Sequence, residues 1–207
     1  MATITSLKPQ KNKKRVNIYL DDKFGFGLDL ENFMKLHLKV EQELSDEEIK
    51  EIVKVAEFQK TLDKLLAFAM FRPRSEKEIR DWFRRKKIHE SMQKDLFNKL
   101  KRFELLDDVK FARWWVDQRI QFRKKTKKII KMELQIKGIG RDVIEEALGE
   151  VKIDEGKIAR ELLEKKHYKW QKFEGRERRQ KMAEYLLRNG LGWDEAESAI
   201  DDYDQKR

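Results

Sequence analysis

Dense runs of basic side chains are the most abundant chemistry in this chain. Arg72 to Lys87 holds eight basic and three acidic residues, Arg119 to Lys131 seven basic and none acidic, and Lys165 to Lys181 eight basic and two acidic. Guanidinium and ammonium groups at that density suit phosphates or an acidic protein surface. Acidic stretches alternate with them: Asp142 to Glu155 has six acids and one lysine, and Asp194 to Asp204 six acids and no base. Two readings are open. The segregation is either a polyanion-facing track beside an acidic, protein-facing side, or a set of solvated helix faces that differ.

Groups that could break bonds are scarce. The chain has no cysteine, so disulfides and thiolate metal sites are excluded. His37, His89 and His167 stand far apart with no paired spacing on one helix, which leaves zinc chemistry without support. No Gly-rich loop ends in Lys-Ser or Lys-Thr. Asp107-Asp108 could suggest a metal, but at a helix start such acids cap amides and meet the positive end of the helix dipole. The expectation is a non-enzymatic protein with no cofactor and no metal.

Gly138-Ile139-Gly140 and Gly190-Leu191-Gly192 have two candidate meanings. Each could turn backbone amides toward a DNA phosphate, as in helix-hairpin-helix modules. Each could instead be a left-handed helix cap followed by a new helix start. The cap is preferred, because the matching position upstream is Lys87-Ile88-His89. Of the tryptophans, Trp82 and Trp115 fall on apolar stripes and should be core. Trp114 and Trp170 fall off the stripes and, with Phe122 in its basic run, are candidates for a stacking surface.

The elements that must position these groups are mostly helical. Residues 1–28 read as β, with runs at Ile4 to Leu7, Val16 to Leu20 and Phe24 to Leu28 around a polar turn at Pro9 to Arg15. Glu31 to His37 reads as a short helix, and Leu38 to Leu44 is ambiguous. Ser45-Asp46-Glu47-Glu48 and Ser75-Glu76-Lys77-Glu78 are capping-box patterns that should open helices. Arg72-Pro73 should break the helix before the second. From Leu62 onward, apolar stripes mark nine helices in three sets of three, with a period of about fifty residues. The expected fold is mainly α: three tandem three-helix repeats in an elongated array, with a small N-terminal β-hairpin or sheet. The expected division is 1–60 for the N-terminal β segment and helices, then repeats at 61–103, 104–150 and 151–207.

Composition agrees with thin helical layers. Charged residues make up 43%, hydrophobic ones 39% and aromatics 10%, and the formal net charge is +10. That is polar for a thick core and aromatic for a disordered chain. Met1-Ala2-Thr3-Ile4 lacks the order of a signal peptide, and no run approaches the ~20 apolar residues of a membrane helix. A soluble, cytoplasmic chain is expected.

Three segments together resemble the RecX family. They are Arg74-Ser75-Glu76-Lys77-Glu78-Ile79, then Leu105-Leu106-Asp107-Asp108-Val109-Lys110-Phe111-Ala112, then Lys137-Gly138-Ile139 followed by Ile144 and Ala147-Leu148. Ile18-Tyr19-Leu20-Asp21 is similar to the N-terminal segment of the family's long form. The resemblance covers nearly the whole chain. Glu104 departs from it, standing where the family commonly has glycine, and Lys125-Thr126-Lys127 replaces another usual glycine.

RecX proteins regulate the bacterial recombinase RecA. The resemblance therefore implies a monomeric modulator that binds in the groove of the RecA–DNA filament. It would contact single- and double-stranded DNA as well, and would block strand exchange and ATP hydrolysis without catalysis of its own. The expected contact residues are Arg72, Arg74, Arg80, Arg84, Arg85, Lys124, Lys125, Lys127 and Lys128, from the first two basic runs. The alternative is a general DNA- or RNA-binding helical module that acts without RecA.

Overall fold

The computed structural model describes residues 1–11 and 13–205. The expected turn over Pro9 to Arg15 includes Asn12, and the third expected repeat ends in Lys206 and Arg207; these three residues lie outside the described ones. The chain divides into two compact units, residues 1–72 with 89–100, and residues 73–88 with 101–207.

The first unit starts with a sheet of order β3-β2-β1-β4, built from β1 (Ala2–Pro9), β2 (Arg15–Leu20), β3 (Lys23–Asp29) and β4 (Glu43–Leu44). All pairings are antiparallel. Asp21 and Asp22, at φ 47° and 61°, form the two-residue turn that joins β2 to β3 with the twist a hairpin needs. The ambiguous stretch before Ser45 contains the two-residue β4, too short to show a period. Alternation works as read: Val16, Ile18, Phe26 and Leu28 turn inward with Ile4 and Leu44.

Helix α1 (Leu30–Lys35) is capped by Asp29, whose carboxylate accepts from the Asn32 amide at 3.0 Å. Helix α2 (Asp46–Met70) opens with a complete capping box, in which Ser45 Oγ accepts from the Glu48 amide and Glu48 Oε2 from the Ser45 amide at 2.8 Å. Ile52 and Ala56 of α2 cover the inner face of the sheet, which a sheet of this size needs in order to stand. Most of α4 (Glu90–Arg102) belongs to this unit.

The second unit holds α3 (Glu76–Lys86), α5 (Asp108–Arg123), α6 (Lys127–Ile136), α7 (Arg141–Gly149), α8 (Glu155–Lys165), α9 (His167–Trp170), α10 (Gly175–Arg188) and α11 (Trp193–Gln205). Two separate cores sit in it. Phe111, Trp115, Ile130, Leu134 and Ile144 fill the α5–α6–α7 set. Leu163, Trp170, Met182, Leu186 and Ile200 fill the set that follows. The four-residue α9 is an addition to the three helices expected there. No helix among the described residues is long and apolar enough to cross a membrane.

Candidate polyanion-binding surface

Ser75 and Thr126 are the two buried polar residues among those described, at 0% and 1% exposure. Each caps a middle helix. Ser75 Oγ accepts from the Glu78 amide at 3.2 Å and donates to the Lys137 carbonyl at 2.8 Å. Thr126 Oγ1 accepts from the Ile129 amide at 3.5 Å and donates to the Asn189 carbonyl at 3.0 Å. Lys137 and Asn189 are themselves the C-caps of the next middle helices, α6 and α10. A hydroxyl that satisfies orphan groups of two helices at once leaves neither end unpaired in the interior.

A second bond repeats beside the first. The Glu76 amide donates to Asp108 Oδ1 at 2.8 Å, and the Lys127 amide to Glu155 Oε1 at 2.9 Å. Asp107 and Asp154 cap their own helices, α5 and α8. In each acidic pair one acid thus serves its own helix and the other serves the neighbouring middle helix, so the acids at 107–108 are capping residues, as expected. Burial raises the Asp108 carboxyl pKa above its ordinary value, with the Glu76 amide pulling the other way.

The glycines complete the junctions. Gly138 and Gly190 sit at φ +80° and +87°, and their amides donate to the Gln135 and Leu187 carbonyls at 2.9 Å each. They are left-handed caps, as preferred. They are also close-packed. A Cβ on Gly138 would lie 2.9 Å from Lys77 Cβ, and one on Gly190 2.5 Å from Thr126 Oγ1 and 2.7 Å from Ile129 Cγ1. Lys87 adopts the same left-handed cap at φ 53° but is exposed, so the position there tolerates a side chain.

α3, α6 and α10 therefore follow one another, the N-terminus of each against the C-terminus of the next. At 1.5 Å rise per residue, each spans about 15–20 Å. Each brings a basic cluster. Arg80, Arg84 and Arg85 are exposed on α3, with Lys86 and Lys87 after them. Arg84 pairs with Asp81 at 3.0 Å, and Arg80 with Glu76 at 3.7 Å. Lys124, Lys127 and Lys128 are exposed and Lys125 half-buried around the start of α6, so the lengths of both helices lie between them and the end of α3. Lys124 is the left-handed C-cap of α5 at φ 47° and pairs with Glu161. Arg85, Lys125 and Lys128 show no carboxylate partner among the described residues. Arg72 and Arg74 are half-buried; Arg72 falls in the first compact unit, and Arg74 forms a parallel bridge to Leu106. The structure thus brings the expected residues of α3 and α6 together as two groups, and Arg72 and Arg74 belong to neither.

Two of the eight bases of the third run, Arg178 and Arg179, are neutralised by acids near the C-terminal end of α11. Arg178 and Arg179 pair with Asp204 at 2.7 and 3.0 Å, and Arg179 with Asp201 at 2.5 Å. Acids of the 142–155 stretch likewise bind bases of their own helix set, with Glu146 and Glu150 holding Arg113 at 2.8 and 2.6 Å. Part of the acidic charge read as a protein-facing side is therefore internal.

Between the C-terminal end of α5 and α8 lies an open cleft of about 650 Å³. Phe122, Ile158 and Leu162 give it an apolar floor, and Arg123, Lys157, Arg160 and Lys165 a basic rim broken by Glu161 and Glu164. Phe122 is 68% exposed, as the stacking expectation requires. The tryptophan expectation needs correction. Trp170 is only 5% exposed; its Nε1 donates to the Leu163 carbonyl at 2.9 Å and its ring meets Tyr185. It escaped the stripe because α9 is too short to have a period. Trp114 is half-buried, with its ring against Phe111 and Trp115. Trp82 and Trp115 are core, as expected; Trp115 Nε1 donates to Glu133 at 2.8 Å while Arg119 stacks on its ring at 3.9 Å.

Sequence reading missed the double role of Ser75 and Thr126. The available signal was their recurrence 51 residues apart, in register with glycines 52 residues apart at Gly138 and Gly190.

Comparison with known proteins bears on what this arrangement belongs to. Residues 2–45 match the family model "Regulatory protein RecX N-terminal domain", residues 107–148 "RecX, second three-helix domain" and residues 154–200 "RecX, third three-helix domain". A protein described as "Regulatory protein RecX" from Bacillus licheniformis is 32% identical over 99% of this chain and 78% of its own length. One of the same description from Clostridium perfringens is 34% identical over 97% of this chain and 95% of its own. A solved structure, "Crystal structure of regulatory protein RecX", has a TM-score of 0.70 at 27% identity, over 97% of this chain and all of the other. A fold match at that coverage, with relatives above 30% identity along the full length, places the chain in the RecX family of regulatory proteins.

Proposed function

We propose that this chain is a monomeric, cytoplasmic modulator of RecA that lies in the groove of the RecA–DNA filament and suppresses strand exchange and ATP hydrolysis without catalysis of its own. One observation carries the reading. The middle helices run end to end, and α3 and the start of α6 each expose basic side chains that their own acids leave unneutralised. Basic clusters at the outer ends of two helices joined end to end suit a repeating polyanionic partner better than a small substrate. The contact residues are Arg80, Arg84 and Arg85, then Lys124, Lys125, Lys127 and Lys128, with Arg72 and Arg74 preceding α3 in the chain. Single- and double-stranded DNA are partners through the same phosphates. The repeats are 61–103, 104–150 and 151–207, supported by the recurring hydroxyl and carboxylate bonds of the two junctions.

The test leaves Lys124 in its left-handed cap and replaces Lys125, Lys127 and Lys128 with alanine. Inhibition of RecA-dependent ATP hydrolysis at physiological salt should then need about tenfold more protein, a change of ~1.4 kcal/mol. An unchanged inhibition curve counts against these contacts. Equal affinity for bare duplex and for RecA filaments would favour a general nucleic-acid-binding module instead.

A further inference from the structure

The outward face of the N-terminal sheet carries chemistry that the filament reading does not use. Residues paired across antiparallel strands share a face. Tyr19 pairs with Phe24, and Asn17 with both Lys8 and Gly27, on the side away from the Ile4–Ile18–Leu28 core. Phe24 is 60% exposed although aromatic and on a strand. Its ring meets Tyr19 edge-on, with centroids 6.0 Å apart and planes at 82°. Lys8 Nζ lies 4.8 Å from the Tyr19 ring centroid, which holds that ammonium against the sheet. Arg15 Nη2 donates to the Gly27 carbonyl at 2.7 Å, laying the guanidinium along the same pair of strands.

Charge is graded along this face. Lys8, Lys11, Lys13, Lys14 and Arg15 crowd the β1–β2 end with no acid among them, while Asp21 and Asp22 occupy the β2–β3 turn near the aromatic pair. Arg15 and Tyr19 are four residues apart on β2, about 13 Å at the rise of a strand. An exposed ring held rigidly by a second ring, with cations leading away from it in one direction, is the arrangement that stacks a base and tracks a backbone.

We propose that this sheet face binds single-stranded DNA, with one base stacked on Phe24 and the phosphates running away from Asp21 and Asp22 toward Lys8 and Arg15. Binding here uses none of the residues assigned to filament contact and needs no RecA.

Fluorescein-labelled dT12 titrated with the full chain, RecA omitted, tests it by anisotropy. Phe24→Ala should weaken binding about 5- to 150-fold, the range one stacked base supports. Phe24→Tyr should bind as wild type, and Phe24→Leu should behave as alanine does. A single 5-bromodeoxyuridine in the oligonucleotide should photo-crosslink to the β2–β3 segment. Replacing Lys11 and Lys13 with alanine should flatten the salt dependence. Wild-type affinity in Phe24→Ala, or crosslinks confined to residues 101–207, overturns the proposal. Full affinity in Phe24→Leu also overturns it, because the contact would then be apolar docking without stacking. RecA inhibition, assayed on the same variants, reports on the filament reading separately.

Discussion

The junctions of α3 with α6 and of α6 with α10 are built from one plan and differ in what surrounds it. Both have a capping hydroxyl on a carbonyl, a carboxylate on the following amide, and a left-handed glycine. The α3–α6 junction adds side chains: Lys137 Nζ bonds Glu78 at 2.6 Å, and Lys77 Nζ the Ile136 carbonyl at 2.6 Å. At the α6–α10 junction the glycine is buried instead, directly beneath Thr126 and Ile129. One junction is supported by polar side chains at its edge, the other by close backbone approach. Lys87, with the same left-handed backbone and an exposed side chain, is an internal control.

That contrast orders the expected effects of substitution. Gly190→Ala should be the most damaging, combining a left-handed alanine at about 1–2 kcal/mol with overpacking at about 1–3 kcal/mol. Gly138→Ala carries the same left-handed cost with a milder clash, only Lys77 Cβ coming within 3.0 Å, and should cost roughly 2–3 kcal/mol. Lys87→Ala should stay within about 0.5 kcal/mol. Urea melts of the three variants check the order, and equal costs would mean that the helix ends do not meet.

Next come the hydroxyls. Thr126→Val keeps the shape and strands two backbone groups, for about 2–3 kcal/mol. Ser75→Ala should cost about 1–2 kcal/mol, because neighbouring lysine bonds remain. A Ser75 effect larger than that of Thr126 would reverse the comparison.

A smaller effect is a pH dependence. Asp108 titrates above the ordinary carboxyl value of 3.8, so the folded state holds its proton longer than the unfolded one. Its share of stability is present below that value and is lost as pH rises through the folded pKa. Asp108→Asn keeps an acceptor for the Glu76 amide and should flatten this decline in melts between acid and neutral pH. A decline of unchanged slope would assign it to other groups.

Smallest is Glu104→Gly. Glu104 is exposed at φ 54°, where a side chain is strained. Glycine there should add about 0.5–1 kcal/mol. A drop in stability would show that the Glu104 side chain contributes more than its strain costs.

Much of this architecture was legible in the residues because it rests on local rules. The Ser45–Glu48 box, the inward alternation of Val16 and Ile18, and the caps at Gly138 and Gly190 are each decided within a few residues. Glu104 shows the same locality: the family's usual glycine there corresponds to a left-handed backbone that this chain adopts with glutamate. What escaped is short or distant. The two-residue β4 and four-residue α9 are below any period, and burial of Trp170 follows from α9. The Ser75–Lys137 and Thr126–Asn189 bonds span 62 and 63 residues, and no propensity encodes a partner at that distance. Charge runs show where bases are but not which ones acids from their own helix set occupy. Arg178 and Arg179 look like Lys125 and Lys128 in sequence and differ only in having Asp201 and Asp204 beside them.

The central claim is that cations at the ends of the middle helices meet filament phosphates. Affinity for RecA filaments on single-stranded DNA, measured across a range of salt concentrations, tests it most directly. The Lys125, Lys127 and Lys128 triple-alanine variant should show a shallower slope of log affinity against log salt, by about 0.7 for each phosphate it no longer neutralises. Parallel slopes for the variant and the wild type would contradict it.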